Sequence, residues 1–247
     1  MKVIYILWLR QIKRYLRSRA RIVGSIGQPL LFLLALGFGF GPVFQRAGEG
    51  SYLQFLSPGI IAMSILFTAV FSGIEIIWDR QFGFLKETLV APVSRLEIMI
   101  GRTLGGATVA FFQGLVIFII TIPLGFHPEF VTIPLGLLFM LLIAFFFTAL
   151  GTAIASILKD MQGFQLIMNF IIMPTFFLSG ALFPVNDLPQ ALKVILAVNP
   201  LAYGVDGLRG ALGGAVYFGI GFDLLILGSA TILCLGLGSF LFTKIQV

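Results

Sequence analysis

The chain has 247 residues, of which 59% are hydrophobic and only 11% charged, with 27 Phe and a mean hydropathy of +1.07. A soluble domain carries about 25% charged residues, so this composition excludes a soluble globular protein and marks an integral membrane protein. The net charge of +6 reads as membrane orientation and contact with anionic lipid rather than nucleic-acid binding.

Residues 1–21 hold seven basic groups, no small-residue cleavage site and no uninterrupted apolar core, which argues against a cleavable signal peptide. At about 100° per residue, Ile4, Tyr5, Trp8, Leu9, Ile12, Tyr15 and Leu16 share one arc of a helix. Lys2, Arg10, Lys13, Arg14 and Arg17 share the opposite arc, while Val3, Ile6 and Leu7 fall outside the apolar arc and Arg19 inside it. The pattern predicts an interfacial helix lying in the headgroup plane with its apolar face down. A basic anchor that only sets topology fits the same pattern.

Six stretches free of Asp, Glu, Lys and Arg follow: Ile22 to Gln45, Gly50 to Ile74, Thr103 to Pro128, Phe130 to Leu158, Met161 to Asn186 and Leu224 to Thr243. Each can supply the roughly 20 apolar residues of a membrane helix. They predict an all-α integral membrane fold with six transmembrane helices, at 22–44, 54–78, 103–124, 132–158, 163–183 and 222–243. Runs this long and continuous exclude a β-barrel. With both termini inside, thirteen Lys and Arg lie on cytoplasmic segments and three, Arg46, Lys193 and Arg209, outside. That bias predicts a multi-pass protein of the cell membrane with cytoplasmic termini.

Between the second and third spans lies DRQFGFLKETLVAPVSRLEIMIGR, residues 79–102, with seven of the chain's Asp, Glu, Lys and Arg residues. Trp78 marks the interface end of the preceding span. Phe84 to Val90 suits a short helix that Pro92 discourages from continuing. Ser94 and Glu97 form a Ser-x-x-Glu capping box that starts a new helix before Ile98. This loop is either a docking surface for a soluble partner or a plain connector. One turn apart, Glu75 and Asp79 share a helix face and repel unless a cation joins them; Arg80, Arg102 or a basic residue of the N-terminal helix is available. Snorkelling of both carboxylates to headgroup water is the alternative.

Farther along, residues 184–218 are too polar and too broken by Gly and Pro for an ordinary span. Asn186 or Asp187 can cap a short helix over Gln190 to Val198, stopped by Asn199 and Pro200, and a second short helix is expected from Leu201 to Leu212. Such pieces must be buried against protein, as a lid or as a packed plug. His127 is expected as a solvated loop residue, and Cys234 lies alone in the last span, so neither supports a metal site. There is no phosphate-binding Gly-x-x-x-x-Gly-Lys-Ser/Thr loop, no Gly-x-Ser-x-Gly and no His-Glu-x-x-His, and no enzyme chemistry is expected.

The 79–102 loop, the later segments FFLSGALFP and NPLAYGVDGLRGAL, the six spans and the basic N-terminus together resemble type 2 export permeases of ATP-binding-cassette transporters, most closely the daunorubicin-resistance type. The resemblance covers nearly the whole chain. It implies a subunit of a drug or lipid exporter that binds no cofactor itself, with ATP and Mg held by two separate ABC ATPase subunits. It also implies pairing with a second permease copy, most simply as a homodimer, and a small amphipathic substrate.

By that resemblance, the coupling helix seated in the ATPase would be Phe84, Leu85, Lys86, Glu87, Thr88, Leu89, Val90 and on to Pro92. The connecting helix would be Lys2 to Arg19, and the outer re-entrant helices Pro184 to Gly214. Spans one, two and five would line the route or the dimer seam, and offer Gln28, Pro29, Phe38, Phe40, Asn169, Pro174, Phe176 and Phe177. A polysaccharide or lipid-linked glycan exporter shares this topology, and a non-transporting structural or regulatory membrane subunit remains a further alternative.

Overall fold

A computed structural model describes residues 2–46, 50–84, 93–158, 160–185 and 188–243, and among them every regular element is a helix. These are α1 (Lys2–Arg17), α2 (Arg19–Arg46), α3 (Tyr52–Phe71), α4 (Ile74–Gln81), α5 (Arg95–Thr121), α6 (Ile133–Ile157), α7 (Met161–Ile167), α8 (Met173–Phe177), α9 (Gln190–Val198), α10 (Pro200–Ala211) and α11 (Ile220–Thr243). A π-helical turn, Met168–Ile172, joins α7 to α8. Most of the expected coupling segment, Leu85, Lys86, Glu87, Thr88, Leu89, Val90 and Pro92, lies outside the described residues, as do Asn186 and Asp187.

Among the described residues, five helical stretches are long and apolar enough to cross a bilayer: Arg19–Arg46, Tyr52–Gln81, Arg95–Thr121, Phe130–Ile157 and Ile220–Phe242. The protein is therefore an all-α, multi-pass membrane protein. The segment expected as a fifth span at 163–183 is shorter, an apolar helix over Met161–Phe177. Its irregularity has a local cause. Pro174 has no N–H to give and its ring crowds the preceding turn, so the chain widens into the π turn just upstream. Beyond Phe177 the chain turns at Gly180, whose φ of +74° lies in the left-handed region that glycine tolerates.

The helix of the third apolar run begins at Arg95, where the capping box places it, and continues without a break into the segment expected as the third span. Ser94 accepts from the Glu97 N–H at 3.2 Å and donates to the Glu97 carboxylate at 3.2 Å, and α5 runs unbroken from there to Thr121. Nothing in Arg95 to Arg102 interrupts a helix once the capping box has started it.

At the centre, α3 is the most enclosed span, packed by α2, α5, α6 and α10. It breaks at Ser72 and Gly73 before α4. The break rests on α6: a Cβ on Gly151 would stand 2.6 Å from the Val70 carbonyl oxygen. Only glycine permits that backbone approach.

Between the fifth apolar segment and α11, α9 and α10 form a bent pair with 91° between their axes. Asn199 makes the corner. Its Oδ1 accepts from the Leu201 N–H at 3.0 Å, capping α10, while its Nδ2 donates to the Thr175 and Leu178 carbonyls at 2.7 and 3.0 Å. Arg209 is buried, donates to the Gly180 carbonyl at 3.0 Å and lies 4.0 Å from the Phe55 ring centroid. Asp206 accepts from the backbone N–H groups of Tyr217 and Phe218. FFLSGALFP and NPLAYGVDGLRGAL are thus knitted together, and α10 is a packed plug rather than a detached lid. His127 is exposed, its backbone clasped at 2.9 Å in both directions by the Gln54 carboxamide.

Candidate functional site

α1 does not present its predicted apolar arc to a single surface. Leu7 and Gln11, both outside that arc, are buried against α5, while Tyr5 and Leu16 inside it are exposed. The reason lies in α5: Gly101 and Gly105 leave gaps that receive the Leu7 and Gln11 side chains. Along the same face the Trp8 Nε1–H donates to Thr108 Oγ1 at 3.0 Å, and the Tyr15 hydroxyl donates to Gln113 Oε1. Docking on a glycine-notched helix has overridden the simple amphipathic pattern.

This seating aims the basic face of α1 at Glu75 and Asp79 on α4, which are both buried. Asp79 accepts from Arg102 of α5 in a close, fully enclosed contact and from Arg10 of α1 at 3.1 Å. Glu75 accepts from Arg21, in the first turn of α2, at 2.8 Å. Arg14 stands 3.6 Å from each carboxylate. One ionic hub therefore joins four helices, α1, α2, α4 and α5. Two carboxylates one helical turn apart repel each other, and here cations from the other three helices hold them together on α4.

Arg80, the fourth member of the expected charge cluster, points elsewhere. It donates to the Leu158 and Ser156 carbonyls at 2.7 and 3.1 Å, closing the C-terminal end of α6. A cation there also complements the helix dipole.

Next to the hub, α1 and the end of α4 border an open groove of about 580 Å³. Arg10, Lys13, Arg14 and Arg17 line one side, with exposed Phe82 and Phe84 beside them. Phe84 is the only expected coupling residue among those described, and it lies at this groove.

The expected route residues separate. Gln28 lines a cavity between the N-terminal half of α2 and α3. Phe40 and Phe177 line an apolar groove of about 420 Å³ farther along α2. Phe38 faces a different hollow, beside Leu124. Asn169 is exposed on the π turn, and Phe176 is buried with its ring 6.2 Å from that of Phe67. Sequence reasoning did not single out Arg10, Arg14 and Arg21 as the particular partners of α4. The four-residue spacing of Arg10 and Arg14 on one face of α1 was the available signal; Arg21, on α2, offered none.

The family described as ABC-2 type transporter matches residues 2–212. The chain belongs to that family. The permease is 30% identical over 201 residues to the putative transport permease ycf38 of Cyanophora paradoxa, covering 78% of this chain and 68% of that protein. It is 30% identical over 207 residues to Nodulation protein J of Rhizobium meliloti (strain 1021), covering 83% and 79%. A ycf38 permease of Pyropia yezoensis is 34% identical over 203 residues, covering 78% and 68%. The hub and the basic groove both lie inside the family match. Membership implies a partner ATPase subunit.

Proposed function

We propose that the permease is the membrane-spanning half of an ATP-driven exporter of hydrophobic or amphipathic compounds, with its termini in the cytoplasm. Two ABC ATPase subunits dock on the loop at residues 84–92 and on the adjoining basic groove. The hub supports this reading, because it makes the docking end of α4 mechanically continuous with α1, α2 and α5. When ATP closes the ATPases, the two loops of a permease pair move together, and α2 and α3 must follow as a packed unit. The nucleotide does this work through its different affinity for the two states.

A second permease copy belongs on α2 and the α7–α8 segment. Leu31, Phe38 and Phe40 are exposed on the first, and Leu166, Phe170 and Ile171 on the second. Gln28 and Asn169, exposed without hydrogen-bond partners among the described residues, support a cargo with a polar portion.

Co-expression with the ABC ATPase encoded beside it tests the proposal. The permease should co-purify with the ATPase, and the complex should hydrolyse ATP, while the isolated permease should not. Hydrolysis by the isolated chain, or failure to form any complex, would refute it.

A further inference from the structure

We infer that the cavity enclosed by α1, the first half of α2, α3, α4 and α5 is a binding site for one anionic acyl lipid. Its volume is about 340 Å³, and it runs from Glu75, Arg21 and Trp78 at one end to Gln28, Ser64 and Met63 at the other.

The inner end holds hydrogen-bond donors that the fold does not use. Ser64 is 2% exposed and its Oγ has no partner. Other serines of this segment behave differently: Ser57 donates to the Leu53 carbonyl at 2.7 Å and Ser72 to Ala69 at 2.6 Å. The Ser64 hydroxyl is therefore not spent on its own helix. Thr68, one turn along the same face, and Gln28 across the cavity also lack side-chain partners among the described residues. A buried hydroxyl without a partner is costly, and a purely apolar occupant would leave it so. All three groups can donate, which calls for an acceptor such as an ester or amide carbonyl.

Positive charge in excess lies behind the other end. Arg21 lines the cavity there beside Glu75, while Arg10 and Arg14 line the adjoining groove and Arg102 is enclosed in the hub, so that four guanidinium groups in all face two carboxylates, Glu75 and Asp79. A guanidinium has five N–H donors. Arg21 spends one on Glu75, and Arg14 has ion-pair contacts but no hydrogen bond. Both guanidinium groups lie over the Trp78 ring, at 5.9 and 5.4 Å from its centroid. This is a seat for a phosphate or similar anion at the membrane surface.

The spacing matches an acyl lipid in its ordinary orientation. Seven residues of unbroken α2 separate Arg21 from Gln28, roughly 10 Å of helix rise. Arginine reaches inward from one end and the hydroxyls from the other, leaving the interval between a lipid phosphate and its first acyl carbonyl. Phe67 and Phe71 flank that interval, and Pro29 and Met63 beyond it offer an apolar wall to the acyl chain. A role as the cargo's entry site rests on the export reading above. Binding itself does not.

The test uses full-length permease in phosphatidylcholine nanodiscs with Trp8→Phe, which leaves Trp78 as the reporter, since the chain has two tryptophans. Lysophosphatidylglycerol should change Trp78 fluorescence saturably and bind about tenfold more tightly than dodecyl phosphate, which has the anion but no carbonyl. Dodecyl maltoside and glycerol 3-phosphate should show no saturable binding. Ser64→Ala with Thr68→Val should reduce lysophosphatidylglycerol to the affinity of dodecyl phosphate and leave dodecyl phosphate unchanged. Gln28→Leu, at an exposed position that tolerates an apolar residue, should weaken lysophosphatidylglycerol several-fold by itself. Equal affinity for the two anions, binding of glycerol 3-phosphate alone, or unchanged affinity in the Gln28→Leu protein would overturn the inference. Adding the ATPase and ATP separates two sources: accelerated release of the probe marks cargo, and unchanged retention marks a resident bilayer lipid. Loss of ATPase binding with lipid binding intact would refute the export reading alone.

Discussion

Replacing Asp79 with Asn is the most informative perturbation of the hub. Arg102 and Asp79 are 3% and 4% exposed at their side chains, so the substitution leaves a buried guanidinium without its counter-charge. Breaking such a pair by removing one partner costs about 3–5 kcal/mol. Arg10 is 41% exposed and Arg14 34%, so losing their contacts adds only about 0.2–1 kcal/mol each. The expected loss is about 4 kcal/mol, nearly a thousandfold in the folded-to-unfolded ratio. Removing both charges with Asp79→Asn and Arg102→Met should restore at least about 2 kcal/mol relative to the sum of the single changes. Reversible unfolding in mixed micelles with increasing dodecyl sulfate, followed by circular dichroism, measures all four corners of this cycle. Additive single effects, within about 0.5 kcal/mol, would show that the pair is not a buried unit and would remove the hub as a rigid link.

Gly151→Val should destabilise by several kcal/mol on the same assay, because its Cβ would meet the Val70 backbone; a loss below about 1 kcal/mol would mean that the α3–α4 break and α6 separate easily. Asn199→Ala should cost about 2 kcal/mol, from a lost cap and two unpaired carbonyls, and should increase proteolysis between α9 and α10; an unchanged protein would contradict the corner geometry. In a Cys234→Ser background, Thr88→Cys should react with an impermeant thiol reagent only in inverted vesicles, and Asp187→Cys only in intact cells; the reverse pattern would invert the orientation.

The sequence was most legible where one local rule acts alone. Uninterrupted apolar runs located the long helices, Ser94 and Glu97 located the start of α5, and Gln190 to Val198 followed by Asn199 and Pro200 located the bent pair α9 and α10. It was least legible where two distant segments decide the outcome. The face of α1 is chosen by glycines roughly a hundred positions away, so its own periodicity cannot reveal that Leu7 and Gln11 are buried. The π turn depends on a proline that looks like any other within an apolar run. Glu75 and Asp79 announced a need for cations, but only the packing of α1 and α2 selects Arg10, Arg14 and Arg21 while sending Arg80 to α6. Ser64 and Thr68 carried no signal at all, since hydroxyls in membrane helices usually bond their own backbone.

The central claim, that a soluble ATPase drives this permease through residues 84–92, is tested most directly by Leu89→Asp in the reconstituted permease–ATPase complex. If Leu89 sits in an apolar pocket of the ATPase, the substitution buries a carboxylate without a partner, which costs at least several kcal/mol at a dry contact. The permease itself should still insert and unfold like the parent protein. ATPase co-purification or coupled hydrolysis should fall at least about a hundredfold, and transport should stop. Normal coupling by well-inserted Leu89→Asp protein, repeated at Phe84, Leu85 and Glu87, would contradict the account and leave the loop as a connector.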